Sequence, residues 1–504
     1  MSSHEKKIII PPEAVGMRLS DYLNTNGYEV SMDCGGHGTC GKCRVRLYSG
    51  VLNHALPDAD GWILACQAIC SSQGAEILLS EEMCTESVFP EQNRSLQSPP
   101  VPQKPLETSS YGIALDIGTT TLAAALVDLK NGKTVATLAR LNPQRSFGAD
   151  VMSRISAAEN GFLDALHQAV CKALSQMIEK LLANCPEKKV LRAAVVGNPT
   201  MLHLLCGISP AGIGHYPFTP AFLSLREYRG PALGIPADCI QILPAISAFI
   251  GSDISAGVQF TQMEKSDFPS VLMDIGTNGE MVLCTGQSGN RPLLGTSAAA
   301  GPALEGAGIS CGVGGIPGAI CAVTRQNGAD HFRTIGDAAP IGLCGSGFID
   351  LIAQLLLRGI IDSSGNMREN YPIARRTDGS LIELLPKDIR AFQLAKSAIR
   401  AGFEVLLESG GISVDQIGTI YLAGGLGFFM NPRSAAIVGL IPPILAKRTK
   451  AVGNSALDGA IECLCHPEQI DQLNHIVHRC TTISLNDFPS FQQQLLNHLA
   501  FSGN

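Results

Sequence analysis

The sequence predicts a small, β-rich, cysteine-bearing unit joined by a proline-rich tether to a two-lobed α/β body. Three observations carry this. Three cysteines fall within ten residues on a glycine-rich loop near the N-terminus; the run from Pro90 to Ser110 holds five prolines and almost nothing apolar; and an apolar strand ending in Asp-Ile-Gly-Thr occurs twice, 158 residues apart.

At 504 residues, 45% of them hydrophobic, the chain is long enough for several cores. A net charge of −7, with no Lys/Arg cluster, argues against nucleic acid as a partner. The N-terminal Lys-Lys-Ile-Ile-Ile runs into Pro11-Pro12 too soon for a signal peptide. No apolar run approaches the roughly 18 to 20 residues of a membrane span. The expectation is a cytoplasmic protein with no membrane partner. Seventeen cysteines in a reducing compartment are then not a disulfide framework: clustered ones suggest metal or catalysis, scattered ones burial as small hydrophobes.

Residues 1–88 read as the first unit, with β-like runs at Lys7–Ile10, Lys42–Tyr48 and Ala75–Leu79. Residues 89–110 cannot pack and read as a semi-rigid tether. From Tyr111 apolar strands alternate with helical patterns such as Phe162–Ala183, Ser346–Arg358 and Ile389–Ser409, the mark of an α/β domain. The repeated motif divides this body into lobes at 111–267 and 268–504, the second ending in a strand and a helix.

Cys34, Cys40 and Cys43 are spaced C-x5-C-x2-C, and Cys66 follows after 22 intervening residues. This nearly matches the plant-type [2Fe–2S] spacing, with one extra residue in the first gap. Four thiolates place negative charge on a buried cluster, and inward-turning backbone N–H groups offset it. Side chains would obstruct that turn, so glycines recur (Gly35, Gly36, Gly38, Gly41). A structural zinc site is the alternative, although zinc ribbons usually present two CxxC knuckles and only Cys40/Cys43 has that form.

The turn Asp116-Ile-Gly118-Thr119-Thr120-Thr121 suits phosphate. Gly118 permits close approach, the following N–H and hydroxyl groups donate to phosphate oxygens, and Asp116 is placed to hold Mg²⁺ through water. Asp274-Ile-Gly276-Thr277-Asn278-Gly279-Glu280 repeats the device from the other lobe. A third element, a strand running into Gly424-Gly425-Leu426-Gly427, lets a base lie flat on backbone. ATP is the nucleotide expected. Asp253 is the expected water-positioning carboxylate, with Glu280 and Glu305 as competitors. His203 reads as a core histidine and Cys463-Leu-Cys465-His466 as helix packing.

In this order the two phosphate motifs and the adenosine motif resemble the sugar kinase/Hsp70/actin (ASKHA) superfamily. More narrowly, the chain resembles the reductive activators of corrinoid proteins, the RACo-like enzymes. The strings that carry this likeness include Asn142–Val151, Gly197–Met201, Phe249–Asp253, Gly301–Gly306, Gly345–Gly347 and Asp388–Lys396. One departure is Gly312-Val313-Gly314-Gly315, where that family tends to carry Gly-Met-Arg-Ala. The resemblance implies an α+β ferredoxin-like (β-grasp) [2Fe–2S] domain fused to a two-lobed α/β ASKHA ATPase. It implies ATP-dependent one-electron reduction of Co(II) to Co(I) in the corrinoid protein of a methyltransferase system, fed by an unidentified low-potential donor, and it suggests a homodimer. From the residues alone, a small-metabolite kinase with a redox-sensing or zinc-stapled N-terminal domain is the alternative.

Overall fold

The computed structural model describes residues 5–26, 28, 30, 38, 43–80, 110–185, 189–286, 292–306 and 308–501. The loop cysteines Cys34 and Cys40, with most of the surrounding glycines, lie outside these residues, as does the tether apart from Ser110.

The N-terminal unit is a four-stranded sheet in the order Glu5–Ile10, Ile69–Ser80, Arg44–Asn53, Trp62–Leu64. Period-two alternation sets its inner face: Ile8 and Ile10 are buried while Ile9 between them is 67% exposed. The helix Leu19–Thr25 covers that face with Leu19 and Leu23.

Two six-stranded sheets follow. The first runs Lys133–Leu141, Thr121–Asp128, Tyr111–Ile117, Val190–Gly197, Cys239–Ile242, Arg226–Arg229. The second runs Thr449–Gly453, Thr419–Ala423, Ser270–Ile275, Gly279–Cys284, Leu293–Ala298, Cys480–Thr482. The repeat seen in the sequence is a repeat of pairing. Asp116 sits opposite Ala123 in an antiparallel hairpin and beside Val196 in a parallel pair; Asp274 sits opposite Glu280 and beside Ala423 in the same way. Both aspartates therefore end central strands, where loops gather and ligands bind in open α/β sheets.

Long helices close the faces. Phe392, Ala395, Ile399 and Phe403 are fully buried along one stripe of Pro386–Gly410. Ser455–Cys465 packs on the first sheet, its Ala456, Ala460 and Leu464 meeting Ala114, Ala125 and Ala194. His203 is a satisfied core residue, its ring 4.4 Å from that of Phe222 and its Nε2 accepting the Ala221 N–H at 3.1 Å.

The C-terminal segment is fastened by one cation. Lys396 is buried and its Nζ donates to the carbonyls of His498 at 2.7 Å and Ala500 at 2.6 Å, over the Phe501 ring. Lys396→Met orphans both carbonyls and is expected to cost about 2–4 kcal/mol in urea unfolding. Burial, with Arg400 nearby, pushes the Lys396 ammonium down to about 8 from 10.5. The unfolded chain binds the extra proton between those values, so the wild-type advantage should grow as pH rises through that window. A stability difference that is flat with pH would contradict this account.

Candidate functional site

A cleft of about 840 Å³ lies between the two sheets and is lined by both Asp-Ile-Gly-Thr turns and by Gly424 and Gly425. Local geometry explains the glycines. A Cβ at Gly118 would stand 2.5 Å from the Thr121 carbonyl oxygen, whose hydrogen bond with the Gly118 N–H, at 3.0 Å, closes the turn. Gly424 has φ +80°, and a Cβ there would stand 2.3 Å from Asp274 Oδ1. Gly279 and Gly427 stand behind the wall: a Cβ at Gly279 would meet Ile399, and one at Gly427 the Leu422 and Gly453 carbonyls.

Five predicted carboxylates converge here: Asp116, Asp253, Asp274, Glu280 and Glu305. Asp253 comes from the first turn of the helix Ser252–Thr261, where its Oδ1 accepts the Ile254 N–H at 2.8 Å. Glu305 joins the two turns, accepting from Thr120 Oγ1 at 3.0 Å and from Thr277 Oγ1. Glu305 is held in place by a close approach: a Cβ at Gly345 would stand 1.8 Å from the Leu304 carbonyl oxygen.

Crowding shows in the acidities. Burial raises Asp116 to about 6, against a lowering hydrogen bond from Asn454. Burial and the charge of Asp116 raise Asp253 to about 7. Asp274 and Glu280 are pushed well above the usual carboxylate range by burial and by each other's neighbours, Asp253 foremost. Burial raises Glu305 too, opposed by the Thr277 and Thr120 hydroxyls. Such a cluster favours either bound protons or a divalent cation, with oxygen donors of the kind Mg²⁺ takes.

Three contributors, Asn454, Asn142 and Arg154, have no role at the site legible in the sequence, whereas Asn198 reads there as opening a helix, either as a cap or facing a phosphate. Asn454 caps the helix Ser455–Cys465 through Oδ1, accepting the Leu457 N–H at 2.8 Å, while its Nδ2 donates to Asp116 Oδ2 at 2.7 Å. The cap is legible as Asn before an apolar helix; the reach to Asp116 is not. Behind the first turn, Asn142 Nδ2 donates to the Gly118 carbonyl at 2.8 Å, Arg154 Nη2 to the Thr119 carbonyl at 2.6 Å and Asn198 Nδ2 to Thr119 Oγ1 at 3.0 Å.

In the N-terminal unit, Cys43 and Cys66 are 1% and 2% exposed, beside one another through the Ala65 N–H to Cys43 carbonyl bond of 2.9 Å. Gln67 Nε2 approaches Cys66 Sγ at 3.7 Å, and a Cβ on Gly38, at φ +74°, would crowd that same Gln67 side chain. Two buried thiols beside a glycine-bearing loop are the donor chemistry a cluster requires. Among the described residues no helix is long and apolar enough to cross a membrane.

Residues 4–71 match the 2Fe-2S iron-sulfur cluster binding domain, 111–266 the RACo middle region and 269–504 the C-terminal ASKHA domain of RACo. A corrinoid activation enzyme, RamQ of Eubacterium limosum, is 32% identical over 436 residues, covering 80% of this chain and 72% of that protein. The methylated amine-specific Co(II) corrinoid protein reductase of Methanosarcina barkeri is 28% identical over 407 residues, covering 74% and 73%. A solved reductive activator for the corrinoid, iron-sulfur protein superposes with a TM-score of 0.74 at 28% identity, covering 98% of this chain and 96% of that one.

Proposed function

The chain belongs to the RACo family of reductive activators of corrinoid proteins, and we propose that it couples ATP hydrolysis to the one-electron reduction of Co(II) to Co(I) in a corrinoid protein of a methyltransferase system. The observation that carries this reading is the pairing, in one chain, of a buried-thiol ferredoxin-like unit with a cleft where two phosphate turns face each other across Glu305.

Cys34, Cys40, Cys43 and Cys66 would hold a [2Fe–2S] cluster, the burial of Cys43 and Cys66 supporting their share. When bound, that cluster supplies a one-electron carrier. The N–H groups of Thr119 and Thr120, with the Thr119 hydroxyl, and the N–H groups of Thr277 and Asn278 bind the phosphates from opposite sides, and the turn at Gly424 and Gly425 receives the nucleoside. Asp116 and Asp274 would hold Mg²⁺ through water, and the raised pKa values of these crowded carboxyls, which a divalent cation would bring back down, support this. Asp253 orients the attacking water. Its carboxyl sits near neutrality, suiting proton transfer, whereas Glu305 is engaged by two hydroxyls and Glu280 lies opposite Asp274 in the hairpin.

Hydrolysis matters because the electron runs uphill. An acceptor roughly 120 mV more negative than its donor is only about one part in a hundred reduced, each 59 mV being a factor of ten. Nucleotide binding and hydrolysis between the lobes shift the population of complexes toward one in which Co(II) accepts the electron. The donor is a low-potential carrier, and the setting is the cytoplasm.

The test is an anaerobic assay of Co(I) formation in a corrinoid protein, with a low-potential reductant. MgATP should raise the yield at least about tenfold, with free phosphate released in step. A yield indifferent to ATP, or phosphate appearing on a small metabolite, would overturn the proposal.

A further inference from the structure

We propose that Arg154 is a positioning residue for the triphosphate: a buried cation that holds the first phosphate turn from behind and lends it the positive charge its own sequence lacks. This rests on the reading of the cleft as an ATP site.

The cleft poses an electrostatic problem. Seven carboxylates line it, Asp458 and Glu462 joining the five above, and the one lysine or arginine among its described lining residues is Lys133, exposed at the start of an edge strand. A triphosphate entering it meets like charge on nearly every side, and one divalent cation offsets only part of that.

Arg154 stands directly behind the first turn. It comes from the short helix Val151–Ala157, whose start is fixed by Asp150 accepting the Ser153 N–H at 2.8 Å. The side chain is fully buried, among the largest in the protein to be so. Its Nη2 donates to the Thr119 carbonyl at 2.6 Å, its Nε to the Gly148 carbonyl at 3.0 Å, and its Nη1 meets Met201 Sδ at 3.0 Å. Two carbonyls and a thioether are neutral partners, and no carboxylate within ion-pair distance of this guanidinium is found among the described residues. A buried cation without a paired anion is costly, and is retained where an anion acts on it from further off.

Burial, and then Arg145, push the Arg154 guanidinium down to about 9, and two carboxylates beyond ion-pair distance act against them to favour its charge, Asp150 on its own helix and then Glu305 on the cleft side of the turn.

The same contacts aim the donors. In a trans peptide the C=O and the following N–H point in opposite directions. Asn142 on the Gly118 carbonyl and Arg154 on the Thr119 carbonyl therefore direct the Thr119 and Thr120 N–H groups away from this layer. Thr119 and Thr120 line the cleft. Arg154 thus supplies the charge and, together with Asn142, the orientation, in a place where phosphate feels it and the adenosine end, held by Gly424 and Gly425 on the other sheet, does not.

The experiment measures affinities for ATP, ADP and adenosine, with Mg²⁺, in the full-length wild type, Arg154→Met and Arg154→Lys. Arg154→Met should weaken ATP by roughly 10- to 100-fold and ADP by less, leaving adenosine within about twofold. Arg154→Lys should keep the ATP-to-adenosine ratio within about threefold of wild type. An unchanged ratio in Arg154→Met, whether neither affinity moves or both fall together, would overturn the proposal. If Arg154→Met does not fold, Arg154→Lys alone decides, a tenfold loss of the ratio counting against it. Wild-type protein that binds no ATP would overturn the nucleotide reading itself and this assignment with it.

Discussion

Asp274→Ala should abolish ATP-stimulated corrinoid reduction, lowering it by at least about 100-fold, without lowering the melting temperature of the nucleotide-free protein. The two halves of this expectation come from one observation. Burial, and then the charges of Asp253, Asp116 and Glu305, raise the pKa of Asp274 well above the usual carboxylate value. A carboxyl whose folded pKa lies above its unfolded value contributes stability that is full below about 3.8 and is lost as pH rises through the folded value. At neutral pH in EDTA it is a net burden, and its removal relieves Glu280 as well, whose carboxyl is raised by burial, by Asp253 and by Asp274. The alanine side chain also leaves the tight approach to Gly424 unstrained, since the atom that a Cβ there would strike, Asp274 Oδ1, is gone. MgATP, which stabilises the wild type by binding only the folded state, should no longer raise the melting temperature of the variant. Thermal melts with and without MgATP, run beside the cobalt assay, separate the cases. A variant that melts several degrees lower in EDTA would mean that Asp274 is structural, and one that still reduces cobalt with ATP would remove the carboxylate from the machinery.

What was legible in the sequence was whatever repeats or alternates. The Asp-Ile-Gly-Thr pair marked both central strands because a buried strand and its turn are local, and the stripe Phe392, Ala395, Ile399, Phe403 marked a helix face for the same reason. Residues that act across the fold carried no such mark. Asn454 reaches Asp116 over a separation of 338 positions, and Thr120 reaches Glu305 over 185. In the sequence Glu305 reads only as a competitor for the water-positioning role; its bridge between the two turns depends on how the lobes meet. Arg154 sits in an unremarkable amphipathic stretch, where an arginine ordinarily faces solvent; only the packing of its helix against Met201 and Thr119 turns it inward. Likewise, nothing in the pattern of Ser455–Cys465 announces that this helix packs on the first sheet.

Cys66→Ser should remove the electron-carrying half of the protein and spare the other. Cys66 is 2% exposed, in the turn that follows the strand Trp62–Leu64 and is tied back to Cys43 through Ala65. A serine hydroxyl there remains protonated and is a poor ligand for iron where a thiolate is required, so the visible charge-transfer absorption and the S = 1/2 signal of the reduced protein should vanish, and cobalt reduction should fall to background. The neighbouring Cys70 offers no substitute. It is fully buried in the strand Ile69–Ser80, its N–H donating to the Met17 carbonyl at 2.8 Å, and burial pushes its thiol up. Cys70→Ser should therefore keep the spectrum. ATP hydrolysis should stay within about twofold in both variants, because the cleft is built entirely from residues beyond Tyr111 and rests on separate apolar clusters. Colourless wild-type protein carrying stoichiometric zinc would defeat the iron–sulfur assignment outright. A Cys66→Ser variant that loses its ATPase along with its colour would instead mean that the N-terminal unit and the cleft are one cooperative structure, and the division of labour between them would have to be abandoned.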